Sequence, residues 1–152
     1  MSAGPAYLVD TNILLRSLNP KDPQYTAAAN AIASLRLRNE PLCVGPQNVI
    51  EFWAVATRPV AQNGLGMTTA EAASEIASIR RLFRVLPHTP DVLEEWQGIV
   101  TRHSVLGKQT HDAHLVALMQ LNDVNSILTF NGADFRRFDG ITVLDPAVVS
   151  AS

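Results

Sequence analysis

The sequence predicts a three-layer α/β domain in which a mostly parallel central sheet is flanked by helices. Short apolar runs typical of buried strands recur along the 152 residues, and longer segments with helical periodicity separate them. This alternation is the pattern of βαβ units. No repeat, low-complexity tract or Gly/Ser linker divides the chain, so we expect a single domain over residues 1–152.

The first elements are a strand, a short helix and a longer helix. The run YLVD predicts a buried strand, and NILLRSL a short helix that Asp10 would begin as an N-cap or Asx turn. The stretch DPQYTAAANAIASLRLRN predicts the longer helix, because Asp22 suits an N-cap and Pro23 a first helical position. Its apolar stripe contains Ala28, Ala31, Ile32 and Leu35.

The middle of the chain predicts one strand and two helices. LCVG is a short strand, and its Cys43 is expected to be a buried structural thiol. In the helix GPQNVIEFWAVATRP, Asn48 and Glu51 have the spacing of a capping box. Its core-facing stripe is Val49, Phe52, Trp53 and Ala56.

The stretch RPVAQNGLGMTT is expected to be a mobile loop, after which Thr68 and Glu71 form a capping box for the helix TTAEAASEIASIRRLF. The stripe of that helix is Ala72, Ile76, Ile79 and Phe83.

The last third predicts three further strands and two helices. RVLP is a short strand, and TPDVLEEWQGIVTRH is a helix with Val92, Trp96, Ile99 and His103 on one face. KQTHDAHLVALMQLN is a helix that Thr110 would cap, SILTF is a buried strand, and ITVL is an edge strand.

Composition excludes several classes of protein. The formal net charge of -2 argues against binding nucleic acid through bulk positive charge, so any such binding must be local. The single cysteine cannot form an intrachain disulfide or a zinc cluster. No apolar run approaches the roughly 18 residues of a membrane span, and the N-terminus lacks the features of a signal peptide. We therefore expect a cytoplasmic protein with no membrane association.

Four acids follow a predicted strand or begin a predicted helix at one edge of the sheet: Asp10, Glu51, Asp112 and Asp134. The carboxyl ends of parallel strands are where active groups gather in such sheets. Each acid also has a local alternative as a helix cap or turn residue, but Asp112 leads the apolar stripe of Leu115, Val116 and Met119 and should point inward. Carboxylates held together repel, and the usual compensation for an all-oxygen cluster is Mg²⁺ or Mn²⁺. Such a site suits phosphodiester hydrolysis.

The motifs LVDTNILL, NVIEFW and HDAHLVALMQLNDVNSILTFNGADF resemble the successive acidic motifs of PIN-domain ribonucleases. The small single-domain form is similar to VapC-type toxins of toxin–antitoxin pairs. The resemblance covers nearly the whole chain and implies a PIN fold, a metal-dependent endoribonuclease, a homodimer, and a cognate antitoxin whose tail covers the cleft. It implies Asp10, Glu51, Asp112 and Asp134 as the catalytic and metal-binding acids, with one or two Mg²⁺ or Mn²⁺ ions. Asn12, Thr129 and Asn131 match family positions that support the site; some members carry an acid where this chain has Asn131.

Several polar and aromatic residues remain open to two interpretations. Arg16, Arg58 and Lys108 are spaced to contact RNA phosphates or to be solvated surface charges. The pairs Arg80–Arg81 and Arg136–Arg137 are expected to be solvated, His111 and His114 to lie outside the catalytic set, and Trp53 and Trp96 to be core or dimer contacts.

Two other functions compete with the metal-dependent nuclease. A PIN-like module could bind protein or RNA without catalysis, its acids only shaping the cleft. A phosphatase with an aspartate nucleophile usually has a second acid two residues later, where this chain has Asn12.

Overall fold

The computed structural model describes residues 6–151, and within this range the chain forms a parallel sheet between two layers of helices. The strands are β1 (Tyr7–Val9), β2 (Leu42–Val44), β3 (Arg84–Val85), β4 (Ser126–Leu128) and β5 (Thr142–Leu144). Every pairing is parallel, in the order β3-β2-β1-β4-β5. The predicted fold class is confirmed, and β5 is the edge strand that ITVL predicted.

Seven helices are described. They are α1 (Thr11–Ser17), α2 (Tyr25–Leu37), α3 (Pro46–Ala56), α4 (Thr69–Leu82), α5 (Val92–Arg102), α6 (Gln109–Leu121) and α7 (Pro146–Ala151). Two turns of 3-10 helix, Val60–Gln62 and Gly132–Asp134, complete the order. In the described range, no helix combines the length and the apolarity that a membrane crossing requires.

Alternation along the strands divides the core between the two faces of the sheet. On one face, Leu8, Cys43 and Ile127 pack with the buried side chains of α5 and α6. On the other, Val9, Val44 and Leu128 pack with α1 to α4 and α7. Side chains of successive strand residues point to opposite faces, so three-residue strands suffice to build both cores. Cys43 is buried, as predicted.

Local sequence rules predicted some helix starts correctly and others incorrectly. The Thr68–Glu71 capping box is present at α4. Helix α2 begins at Tyr25 rather than at Pro23, because the Asp22 carboxylate instead accepts the Gln24 N–H at 2.8 Å in the preceding turn. Thr110 lies inside α6, whose N-cap is Lys108, and its hydroxyl donates to the Gly107 carbonyl.

The segment after α3 is held more closely than its composition predicts. Leu65 and Met67 donate backbone hydrogen bonds to Val55 and Ala56 in the last turn of α3, at 3.2 and 2.8 Å. Gly64 folds back onto the end of this helix, where an added Cβ would lie 1.9 Å from the Arg58 carbonyl oxygen. The predicted mobile loop is therefore a compact turn packed on α3.

Strand order brings β1 and β4 together at the position where successive connections leave in opposite directions. Chain segments leaving the carboxyl ends of strands beside such a switch point diverge and open a crevice. The Asp10 N–H donates to the Leu128 carbonyl at 3.0 Å across this boundary. The residues that follow β1 and β4 therefore lie side by side.

Candidate metal-binding acidic site

Asp10 follows β1 and uses its two carboxylate oxygens differently. Oδ1 accepts the Thr11 N–H at 2.8 Å, which makes Asp10 the N-cap of α1. Oδ2 accepts the Thr129 hydroxyl at 2.8 Å from the end of β4. The local capping role and a place in the crevice between β1 and β4 are thus compatible.

Asn12, in the first turn of α1, and Thr129, directly after β4, both contact this carboxylate. The Asn12 amide N–H lies 3.4 Å from Asp10 Oδ2 and 3.3 Å from Thr129 Oγ1, and its carbonyl accepts the Phe130 N–H. Thr129 is almost fully buried and its hydroxyl also accepts the Asn131 N–H at 3.0 Å. The geometry supports an orienting role for Asn12 and Thr129, while Asn131 takes part through its backbone and has an exposed side chain.

Glu51 lies on α3, and its carboxylate is held by neighbours on two helices. Thr11 Oγ1 donates to Oε2 at 3.0 Å, and Gln47 Nε2 donates to Oε1 at 2.9 Å. The predicted Asn48–Glu51 capping box is wrong. The N-cap is Gly45, whose N–H donates to Asn48 Oδ1 at 2.8 Å. Glu51 therefore does not cap α3, and its carboxylate contacts Thr11, the residue after Asp10.

Asp112 and Asp134 complete the set from α6 and from the 3-10 turn after β4. Asp112 is half-buried in the first turn of α6, ahead of the buried Leu115 and Val116, as predicted. Asp134 is the last residue of its turn and is also half-buried. It borders an open cavity of about 380 Å³, shared with Thr129, Asn131 and Arg136.

The charges of the four acids act on one another. Burial raises the pKa of Asp10, and the carboxylates of Glu51 and Asp134 raise it further, against the lowering effect of the Thr129 and Thr11 hydrogen bonds. The pKa of Asp112 rises to about 6, first through burial and then through Asp134, Asp10 and Glu51. The carboxylates of Asp10, Glu51 and Asp134 therefore lie close enough to Asp112 to raise its pKa.

The side-chain positions do not by themselves form a coordination sphere. Within residues 6–151, no three His, Cys, Asp or Glu side chains stand close enough to hold one metal ion. The chemistry of the donors nevertheless suits a hard divalent cation, because the four acids offer only oxygen. Their mutual repulsion is the kind that a bound cation relieves.

The predicted basic residues take three different positions. Arg16 stacks over the Phe130 ring at 4.9 Å from its centroid, lies 4.0 Å from the Asp22 carboxylate, and borders a cavity with Asn12. Arg58 is exposed beyond the end of α3, and Lys108 is exposed at the start of α6.

Residues outside the predicted site also contact the site helices. Arg137 is not simply solvated, since its guanidinium donates to the His103 carbonyl at 2.6 Å and to Gln109. Trp96 packs against the core, and its indole N–H donates to the Thr110 carbonyl. Trp53 is half-buried on α3. His114 lies two residues after Asp112 on α6. Burial lowers the pKa of His114, and His88 and His111 lower it further.

Thr11 and Gln47 contact the acids directly, and Asn48 contacts Thr11; none of the three was predicted as a site residue. Asn48 is fully buried and donates to Thr11 Oγ1 at 3.1 Å, which in turn donates to Glu51. The position of Thr11 between Asp10 and Asn12 was a signal for its part. Gln47 lies four residues before Glu51, and this helical spacing could have signalled their contact, whereas its contacts with His111 and His114 depend on how α3 lies beside α6.

Comparisons with known proteins agree with the fold described above. The PIN domain family model matches residues 7–141. A comparison with curated proteins finds no match. FitAcB from Neisseria gonorrhoeae superposes with a TM-score of 0.66 at 17% identity, covering 92% of this chain and 97% of that chain. VapBC2 from Rickettsia felis, bound to a DNA fragment from its promoter, has a TM-score of 0.66 at 12% identity, covering 91% and 97%.

A third similar structure is VapC20 from Mycobacterium tuberculosis, described as a sarcin–ricin loop cleaving toxin. Its TM-score is 0.63 at 21% identity, and the match covers 84% of this chain and 92% of that chain. At these identities the solved structures establish the shared fold, and the family match extends from β1 to the residue before β5. The chain belongs to the PIN domain family.

Proposed function

We propose that this protein is a metal-dependent endoribonuclease that hydrolyses RNA phosphodiester bonds and acts as the toxin of a type II toxin–antitoxin pair. The observation that carries the proposal is the position of Asp10 in the crevice between β1 and β4, where Thr129 donates to its carboxylate and the adjacent Thr11 donates to Glu51. Burial, and then the charges of Asp134, Asp10 and Glu51, raise the pKa of Asp112 beside them. Family membership and the similarity in fold to a toxin described as sarcin–ricin loop cleaving support it.

The proposed cofactor is Mg²⁺ or Mn²⁺, as one or two ions. Asp10, Asp112 and Asp134 would hold the metal, and Glu51 would bind it through water or position the attacking water. The bound cation would supply positive charge to the phosphate and activate water. Asn12 and Thr129 orient Asp10. Asn131, through its N–H to Thr129, supports the turn that presents Asp134.

The proposed substrate is RNA, and the basic residues at the rim would contact its phosphates. Arg16 is fixed between Phe130 and Asp22, so its charge is positioned beside the cavity next to Asn12. Arg58 and Lys108 would add contacts from the ends of α3 and α6. Such contacts position the backbone, whereas sequence selection depends on the shape of the cleft.

The first test is RNA cleavage by Asp10→Asn. The variant keeps the side-chain shape and the cap oxygen but loses the charge, so we expect cleavage in Mg²⁺ to fall by more than about 100-fold with folding retained. Asp123→Asn is the matched control, because Asp123 is exposed and follows the C-terminal end of α6, whereas Asp112 lies in the first turn of that helix, and asparagine tolerates its positive φ of 57°. Cleavage by Asp10→Asn at the parent rate, or parent activity unaffected by EDTA, would contradict the proposal. RNA binding without cleavage by the parent would support the binding module instead.

The second test concerns assembly. We propose that the protein binds an antitoxin, because two of the similar structures are described as VapBC or toxin–antitoxin complexes, and that it forms the homodimer that the family resemblance implies. Size exclusion with light scattering should give a dimer at micromolar concentration. Where a short reading frame adjoins the gene, adding the protein that it encodes should give a larger complex and inhibit cleavage. A monomer that forms no complex with the added protein would contradict the assembly part of the proposal.

A further inference from the structure

A continuous series of hydrogen bonds runs from His88 through His114 and Gln47 to the Glu51 carboxylate. His88 Nε2 and His114 Nε2 are 3.1 Å apart, and the two rings are stacked. His114 Nδ1 is 2.7 Å from Gln47 Oε1, and Gln47 Nε2 donates to Glu51 Oε1 at 2.9 Å. From the sequence, His88 and Gln47 had no expected role, and His114 was expected to lie outside the catalytic set.

The direction of each hydrogen bond follows from the acceptors around Gln47. Its Nε2 also donates to the His111 backbone carbonyl at 3.2 Å, so this end of the amide faces two acceptors and must be the NH₂ group. Oε1 is then the acceptor facing His114, which requires a proton on His114 Nδ1. In neutral His114, Nε2 therefore accepts, and His88 Nε2 is the donor.

Gln47 connects the two helices that carry Glu51 and Asp112. It lies one turn before Glu51 on α3, and its contacts to His111 and His114 are with residues on either side of Asp112 on α6. The other Glu51 oxygen is held from the opposite side by Thr11. Both carboxylate oxygens are thus fixed by donors on different helices, which removes rotamer freedom from a flexible side chain.

We propose that Gln47 is a positioning residue, which holds Glu51 in orientation and fixes its spacing to Asp112, and that His114, aligned by His88, sets the orientation of the Gln47 amide. This inference rests on the proposed nuclease function. Partners of metal-site carboxylates typically contribute about 10- to 100-fold to metal affinity or activity.

The test compares Gln47→Met with Gln120→Met. Methionine keeps the length and the helix propensity of glutamine but removes both hydrogen-bonding ends. Gln120 lies near the end of α6 and donates to the Asp139 carbonyl, away from the acids. We expect Gln47→Met to lower kcat, or to raise the Mg²⁺ concentration for half-maximal cleavage, by about 10- to 100-fold with KM for RNA unchanged. Mn²⁺ affinity, followed by electron paramagnetic resonance, gives a readout without catalysis.

A second pair of variants tests His114. Asparagine places an amide N–H close to the position of Nδ1, whereas leucine fills similar volume without a donor. His114→Asn should retain most of the activity that His114→Leu loses.

Each outcome is decisive. Gln47→Met with parental kcat, metal requirement and Mn²⁺ affinity would overturn the inference while leaving the proposed function intact. Equal behaviour of His114→Asn and His114→Leu would overturn the role of His114. A parent protein that neither binds Mn²⁺ nor cuts RNA would overturn the proposed function and this inference with it.

Discussion

Asn48 shows how a single buried polar side chain joins the fold to the site. Its Oδ1 accepts the Gly45 N–H at the start of α3, and its Nδ2 donates to Thr11, which holds Glu51. The side chain has no exposed surface, so its partners cannot turn to water when it is removed.

Asn48→Ala should therefore destabilise the protein by about 1–3 kcal/mol, because it leaves the buried Gly45 N–H without its acceptor. The free energy of unfolding in urea measures this loss. Asn30→Ala on the exposed face of α2 is the control and should be near neutral. A cost no greater than that of the control would mean that water or a rearranged neighbour satisfies Gly45.

At the same scale, the sequence was enough to propose the four acids as a site but not to predict how they are held. Asp10 and Asp134 were identified because each follows a strand, and Asp112 because it leads an apolar stripe. The contact of Glu51 with Thr11 was missed, since Thr11 is 40 residues away along the chain and the contact requires α1 to lie beside α3. Spacing within one element cannot reveal such a pair.

Among the elements, predictions succeeded where the signal was local and self-contained. The α4 capping box needs only Thr68 and Glu71, and it formed as predicted. The start of α3 was predicted incorrectly, because Asn48 and Glu51 have the spacing of a capping box while Gly45 is the N-cap and Pro46 the first helical residue. The helix α7, only six residues long, was not predicted. A periodic pattern barely develops over that length, and α7 is stabilised by packing on α2 through residues such as Val149.

The order of elements determines how the site is assembled. Parallel alternation was enough to predict that the strand-end acids meet at one edge, but not that β1 and β4 would be neighbours. That pairing depends on the crossover from β3 to the opposite side of β1. It creates the direct contact between Asp10 and Thr129, residues separated by 119 positions.

For the whole molecule, grouping carboxylates without a cation should reduce stability as they ionise. The folded state raises the pKa of Asp112 to about 6, above the ordinary value of 3.8, and raises that of Asp10 as well. A raised pKa in an acid means that the folded state binds the proton more tightly. Its contribution to stability is complete below about pH 4 and is lost as the pH rises through about 6.

In EDTA, the melting temperature of the parent should therefore fall, relative to that of Asp112→Asn, between about pH 4 and about pH 7. The comparison is needed because His114, whose pKa is lowered on folding, contributes the opposite slope. Mg²⁺ should restore the loss near neutral pH and have less effect near pH 5, where protons compete with the cation. Asp123→Asn should follow the parent. Two results would mean that these acids do not form a preassembled cation site. One is a melting temperature with the same pH dependence in the parent and in Asp112→Asn. The other is a parent melting temperature that Mg²⁺ does not change at neutral pH.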